Sequence, residues 1–212
     1  MNKQKVFCIL LFIFNYLQFQ TYSYAEVDVS KLSRVVLNVK DTQNSMYKVY
    51  FFTSKETKSD FYLCSGGEDK VYIGDYKFGI QKYGAKEIKI MPLILKGYPL
   101  NETKKTVFSV KSKSKIYPDL IVVSNQIDCN TKTGKLYYIN KGDLVPVNNS
   151  LSFVSSPRFN KSNKLETMNY YNTADFPWVL STYSLDLKSG SLKFLDKKSF
   201  SFEEGKKIDN NW

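Results

Sequence analysis

The apolar residues of this chain come in short runs, and each run is closed by Gly, Asn, Asp, Ser or Pro. Arg34 to Val39, Tyr47 to Thr53, Thr106 to Val110, Leu120 to Ser124 and Leu136 to Ile139 are rich in β-branched and aromatic residues. Such runs between turn formers predict strands. No window carries apolar residues at i, i+3, i+4 and i+7, so no long amphipathic helix is expected. The stretch 74–85 is too rich in Gly for a helix. Two segments also resemble each other. Leu136 to Val145 and Thr182 to Leu192 each place an aromatic strand before a Gly turn and an apolar return. Gly142 and Gly190 mark these turns, and Gly97 marks a fainter copy upstream. A spacing of about 45 residues is that of four-stranded blades. The prediction is an all-β fold, a small propeller-like or stacked assembly of antiparallel sheets with about four blades.

Residues 1–25 have a different composition. Lys3 and Lys5 precede an apolar stretch from Val6 to Leu17, and Ser23-Tyr24-Ala25 offers small residues at a cleavage site. This is the pattern of a cleaved secretory signal peptide. The apolar stretch is shorter than a spanning helix needs, and no later segment is long enough. Residues 26–212 are read as a single β-rich domain. The expected location is the periplasm, with secretion as the alternative.

Export bears on the cysteines. Of the three, Cys8 lies in the signal, which leaves Cys64 and Cys129. An even pair in an oxidising compartment reads as a disulfide; the alternative is two separate thiols. Closing that loop stabilises a fold by about 4 kcal/mol in the chain-entropy treatment.

The chain contains no His. This removes Ser-His-Asp and Cys-His nucleophile systems, His-ligated zinc and imidazole acid–base chemistry. Asp128 to Gly134 only loosely resembles a calcium loop, because Lys132 stands where an acidic ligand belongs. Gly74 to Gly79 lacks the Lys-Ser/Thr that follows a phosphate loop. Glu166 and Asp175 are acids that a His-free glycosidase would need, but nothing in the spacing pairs them. The chain is therefore read as a non-enzyme without metal or cofactor.

Two features point to binding instead. The first is charge. The net charge is +11, and +9 once a signal with two lysines and no acids is removed. Lys111, Lys113 and Lys115 alternate, so on a strand they share one face. Such a face suits an anionic polymer or an acidic protein; the plainer reading is a solvated edge that discourages strand pairing. The second feature is Met168 to Trp178, which sets aromatics among turn formers. Tyr170, Tyr171, Asp175 and Trp178 are the candidate partner-binding residues, since loop Tyr and Trp anchor protein interfaces. No nucleic acid is expected as a partner.

The order of elements in the C-terminal half supplies a resemblance. Tyr117-Pro-Asp-Leu-Ile-Val-Val-Ser124 leads through a polar turn to Gly134-Lys-Leu-Tyr-Tyr-Ile139, then Leu144 to Val147, Pro157-Arg-Phe159 and Gly190 to Phe194. This order resembles bacterial periplasmic lysozyme inhibitors and immunity proteins with a small β-propeller-like fold. The resemblance spans residues 105–197. It implies a protein that binds and blocks a secreted or injected peptidoglycan-degrading, lysozyme-like effector. That family carries a calcium-like turn before the Asp-Leu strand. Here Val110 to Pro118 has lysines in its place, and only Asp119 and Leu120 match.

Overall fold

Strands β7 (Leu120–Gln126) and β8 (Lys132–Asn140) each carry four successive apolar residues, Leu120 to Val123 and Leu136 to Ile139, not alternate ones. A strand of that kind has to be covered on both faces. The computed structural model, which describes residues 28–59, 69–172 and 175–212, shows how. Ile121 and Val123 of β7, with Tyr137 and Ile139 of β8, pack into one core. Leu120 and Val122, with Leu136 and Tyr138, pack into a second core on the other side. The period-2 alternation of side chains thus divides one sheet between two cores.

Strands account for 60% of the structure and helices for 7%, so the chain is all-β. The first sheet holds β1 (Ser33–Lys40), β2 (Met46–Phe52), β3 (Glu56–Ser59), β4 (Val71–Lys82) and β5 (Lys89–Asn101). Strands β2 and β3 pair with successive stretches of the same side of β4, Lys77 to Lys82 and Val71 to Gly74. They occupy one strand position interrupted at 53–55, so the sheet is a four-position meander. The second sheet runs β6 (Val107–Val110), β7, β8 and β9 (Asp143–Phe153). The third runs β10 (Ser155–Phe159), β11 (Leu165–Tyr170), β12 (Trp178–Asp186) and β13 (Ser191–Phe200).

Three blade-like sheets therefore stand where about four were expected, and no closed propeller ring forms among the described residues. The longer strands of the first sheet explain the difference. The hairpins at Gly142 and Gly190 are equivalent, each joining the third and fourth strand positions of its sheet. The corresponding turn of the first sheet lies at Gly84, not at Gly97. Gly97 sits inside β5 at a register shift, where its N–H donates to Asp75 Oδ1 at 2.8 Å.

The three meanders stack in order. The first core joins Phe51, Tyr76, Phe78 and Leu100 of the first sheet to the second sheet. Phe51 lies parallel to Tyr76 with ring centroids 4.7 Å apart. The second core joins Leu136, Leu151 and Phe153 to Phe159, Leu165, Leu185 and Leu192 of the third sheet. Each such aliphatic side chain contributes about 1.5–3 kcal/mol by leaving water.

The two outer faces carry caps. Helix α1 (Val29–Leu32) lays Val29 on Tyr50 and Phe52 of the first sheet. Helix α2 (Phe202–Asn210) covers the third. It starts at a capping box, with Ser201 and Glu204 satisfying each other's backbone N–H. Gly205 lets its backbone press on Trp178, where an added Cβ would lie 2.0 Å from Cγ. The chain end is fixed as well: Trp212 Nε1 donates to Ser156 O at 2.6 Å, and the Arg158 guanidinium lies 3.8 Å from the Trp212 ring centroid.

All three meanders run in the same sense, so their turns gather at two ends. At the lower end, Asp119 N–H donates to Lys40 O at 2.9 Å and Thr42 N–H to Ile139 O at 3.1 Å. The upper end holds the β5–β6 turn, loop 171–177 and α2. Among the described residues no helix is long and apolar enough to cross a membrane. The expected signal peptide, residues 1–25, lies outside the described residues.

Candidate functional site

The aromatic segment sits at the upper end, between β11 and β12. Its base is closed by a hydrogen bond from Tyr171 N–H to Pro177 O at 2.8 Å. The four residues expected to act together divide into two pairs. Tyr171 is 52% exposed, and Asp175 is exposed too. Trp178 is buried, and Tyr170 is half-buried with its ring 4.9 Å from that of Trp178 and 6.2 Å from Phe202. Tyr170 and Trp178 are thus strand-end residues packed beneath α2, and not loop anchors as expected. The reason is the opposing register: Tyr170 and Trp178 are direct cross-strand partners, and α2 closes over them.

Phe176 takes the place that Trp178 was expected to fill. At 58% exposure it stands beside Asp175 and ahead of buried Pro177. Favouring Tyr and Trp over Phe in the same segment hid it. Phe202, 44% exposed at the first turn of α2, extends the aromatic surface.

A cleft of about 590 Å³ opens at the same end, between β1, the β5–β6 turn and β6. Val35, Leu37, Val107 and Phe108 line its walls, with Arg34, Glu102 and Lys105 at its rim. Arg34 Nε donates to Glu56 Oε1 at 2.8 Å, and Nη1 reaches Glu102 at 3.5 Å. Its guanidinium lies 3.8 Å from the Tyr72 ring centroid. Tyr76 Oη donates to Glu56 Oε2 at 2.7 Å. Burial alone would raise the Glu56 carboxyl, but hydrogen bonds from Arg34 and Tyr76 outweigh it and hold the group below its ordinary range. Burial, then the bond to Glu56, pushes the Tyr76 hydroxyl up. The guanidinium thus ties two carboxylates together. Among the described residues Glu102 is the sole acid lining the cleft. Glu166 accepts from Arg158 Nε at 3.1 Å and from Asn160 Nδ2 at 2.8 Å, as an anchor of the third sheet.

The lysine segment lies at the lower end, in loop 111–119 between β6 and β7. It is not a strand, so the three ammonium groups do not form a single row. Lys111 Nζ donates to Asp119 Oδ2 at 2.9 Å and to the Asn38 carbonyl. Buried Asp119 also accepts from Ser112 N–H at 2.9 Å and Lys40 N–H at 3.1 Å. Lys40 Nζ in turn donates to Ser112 O at 3.2 Å and to Ser114 O. The loop carbonyls thus close on an ammonium group of the chain itself. Lys111 is a fastener of this loop, while Lys113 and Lys115 face solvent. Cys129 lies in the turn after β7; Cys64, its expected partner, falls in segment 60–68, outside the described residues.

No family model matches the chain, and no curated protein or solved structure is significantly similar to it.

Proposed function

We propose that this protein is an exported, non-catalytic inhibitor that binds a peptidoglycan-degrading, lysozyme-like effector and occludes its active-site cleft. The single observation that carries this reading is loop 171–177. Tyr171, Asp175 and Phe176 project from a hairpin whose base is locked by Tyr170 and Trp178 beneath α2. Two exposed aromatic rings beside one carboxylate suit insertion into a cleft, and blocking a cleft requires no chemistry from the inhibitor. The resemblance of residues 105–197 to periplasmic immunity proteins supplies the target class.

The charge of the chain opposes approach to a basic target, so the contact patch has to be locally acidic. Lysozyme-like enzymes are often basic, and long-range repulsion from a +9 inhibitor slows encounter. Asp175 at the tip and Glu203 and Glu204 at the start of α2 offset this locally.

The test uses the purified mature chain and the hydrolase encoded beside its gene. The expected result is stoichiometric inhibition of peptidoglycan hydrolysis. Phe176→Ala and Tyr171→Ala should each weaken binding by about 1–3 kcal/mol, mainly through faster dissociation. Absence of binding to that hydrolase, or inhibition indifferent to both substitutions, would falsify the reading.

A further inference from the structure

The two ends of the sheet stack differ in charge. The six lower loops, 41–45, 83–88, 111–119, 141–142, 160–164 and 187–190, carry eight lysines and three acids. Two of those acids are buried and already engaged. Asp119 holds loop 111–119, and Asp41 Oδ1 accepts from the Gln43 and Ser45 N–H groups at 2.8 Å each. Glu87 is then the one exposed acid in these loops. Against it stand Lys86, Lys113, Lys115, Lys141 and Lys161, all exposed and with no partner for the ammonium group among the described residues. The described loops and both helices of the upper end carry eight acids and seven lysines. The excess of positive charge in the loops thus sits at one end.

That end also bears an apolar point. Ile116, at 73% exposure, is the most exposed large apolar side chain among the described residues. It stands directly after Lys115, in the loop pinned by Asp119 and Lys40. Its own N–H donates to Ser114 Oγ at 3.2 Å. Tyr83, 49% exposed, lies at the same end. A solvated basic face gains nothing from holding an isoleucine in water. A soluble polyanion would engage the lysines and leave Ile116 idle. A lipid surface uses both, with ammonium groups at the headgroup phosphates and the apolar side chain at the acyl boundary.

We propose that the lower end docks on the surface of an anionic phospholipid bilayer through Lys113, Lys115, Lys141 and Lys161, with Ile116 as the inserting side chain. This inference uses residues at the end opposite loop 171–177, so it stands independently of the inhibitor reading. A docked molecule would turn loop 171–177 away from the lipid.

The experiment is flotation of the purified mature chain with vesicles of phosphatidylglycerol and phosphatidylethanolamine, compared with phosphatidylcholine alone. Binding is expected on the anionic vesicles only and should fall steeply as salt is raised. The triple variant K113E/K115E/K161E should bind at least ten-fold more weakly, and Ile116→Ser several-fold more weakly at unchanged charge. These side chains are exposed, so both variants should melt within a few degrees of the parent. Equal binding to phosphatidylcholine, or anionic-vesicle binding indifferent to the triple variant, overturns the proposal. Loss with the triple variant but none with Ile116→Ser also overturns it, because the contact is then charge alone with no inserted side chain. Phe176→Ala should float like the parent, which separates this result from the fate of hydrolase inhibition.

Discussion

Loops 171–177 and 111–119 both stand out in the sequence as binding surfaces, and the fold treats them differently. In the first, the anchoring residues Tyr170 and Trp178 are aromatics that pack into the protein, and Tyr171, Asp175 and Phe176 between them face water. In the second, the anchors are charged. Lys111, though exposed, and Lys40 are engaged by buried Asp119 and by backbone carbonyls, and Lys113, Lys115 and Ile116 face solvent without such a contact for their side chains among the described residues. Side chains that dominate a segment's composition are therefore not always the ones available to a partner. What decides is whether a complementary group lies within reach, apolar for the indole and anionic for the ammonium.

The comparison can be broken at its anchors. Trp178→Ala removes the indole on which Gly205 and Tyr170 rest, and should cost about 3–5 kcal/mol of stability. Urea denaturation measures this. Phe176→Ala removes an exposed ring and should stay within about 0.5 kcal/mol of the parent. Equal losses for the two would mean that the loop has no division between anchor and tip.

Asp119→Ala tests the other loop. It leaves the Lys111 ammonium and the Lys40 and Ser112 N–H groups without their acceptor. A loss of about 2–4 kcal/mol is expected, read as a lower thermal midpoint. Lys113→Ala should leave that midpoint nearly unchanged, because the side chain has no partner among the described residues.

The smallest effect concerns the upper end and is visible only in acid. Glu56 has a folded pKa below its ordinary value, held there against burial by Arg34 and Tyr76. Such a group stabilises the fold above its unfolded pKa, and the contribution disappears as pH falls through the folded value. The parent should therefore lose stability faster than Glu56→Gln as pH drops below about 4.5. Urea midpoints from pH 7 to 3 report the difference, and parallel curves would remove Glu56 from the account.

Some of this was readable from sequence. The apolar runs Leu120 to Val123 and Leu136 to Ile139 were legible as strands, whereas their cover on both faces emerges only from the structure. The hairpins at Gly142 and Gly190 were legible because each depends on a local positive φ, 84° and 65°. Gly97 misled for the same reason. Its φ of 57° serves a register shift inside β5 instead of a turn, and a glycine reads alike in both. The Ser201-x-x-Glu204 capping box was present in the sequence as a helix start, but α2 is short and lacks the apolar stripe that draws attention to a helix.

The sequence by itself determined the strand content and the positions of the later hairpins. Each depends on neighbours a few residues apart. Only the tertiary structure decided that three sheets stack, that Trp178 is buried while Phe176 is not, and that Lys111 is bound while Lys113 is free. Those outcomes depend on contacts such as Gly205 on Trp178 and Lys40 with Ser112, where distant segments meet and exclude water.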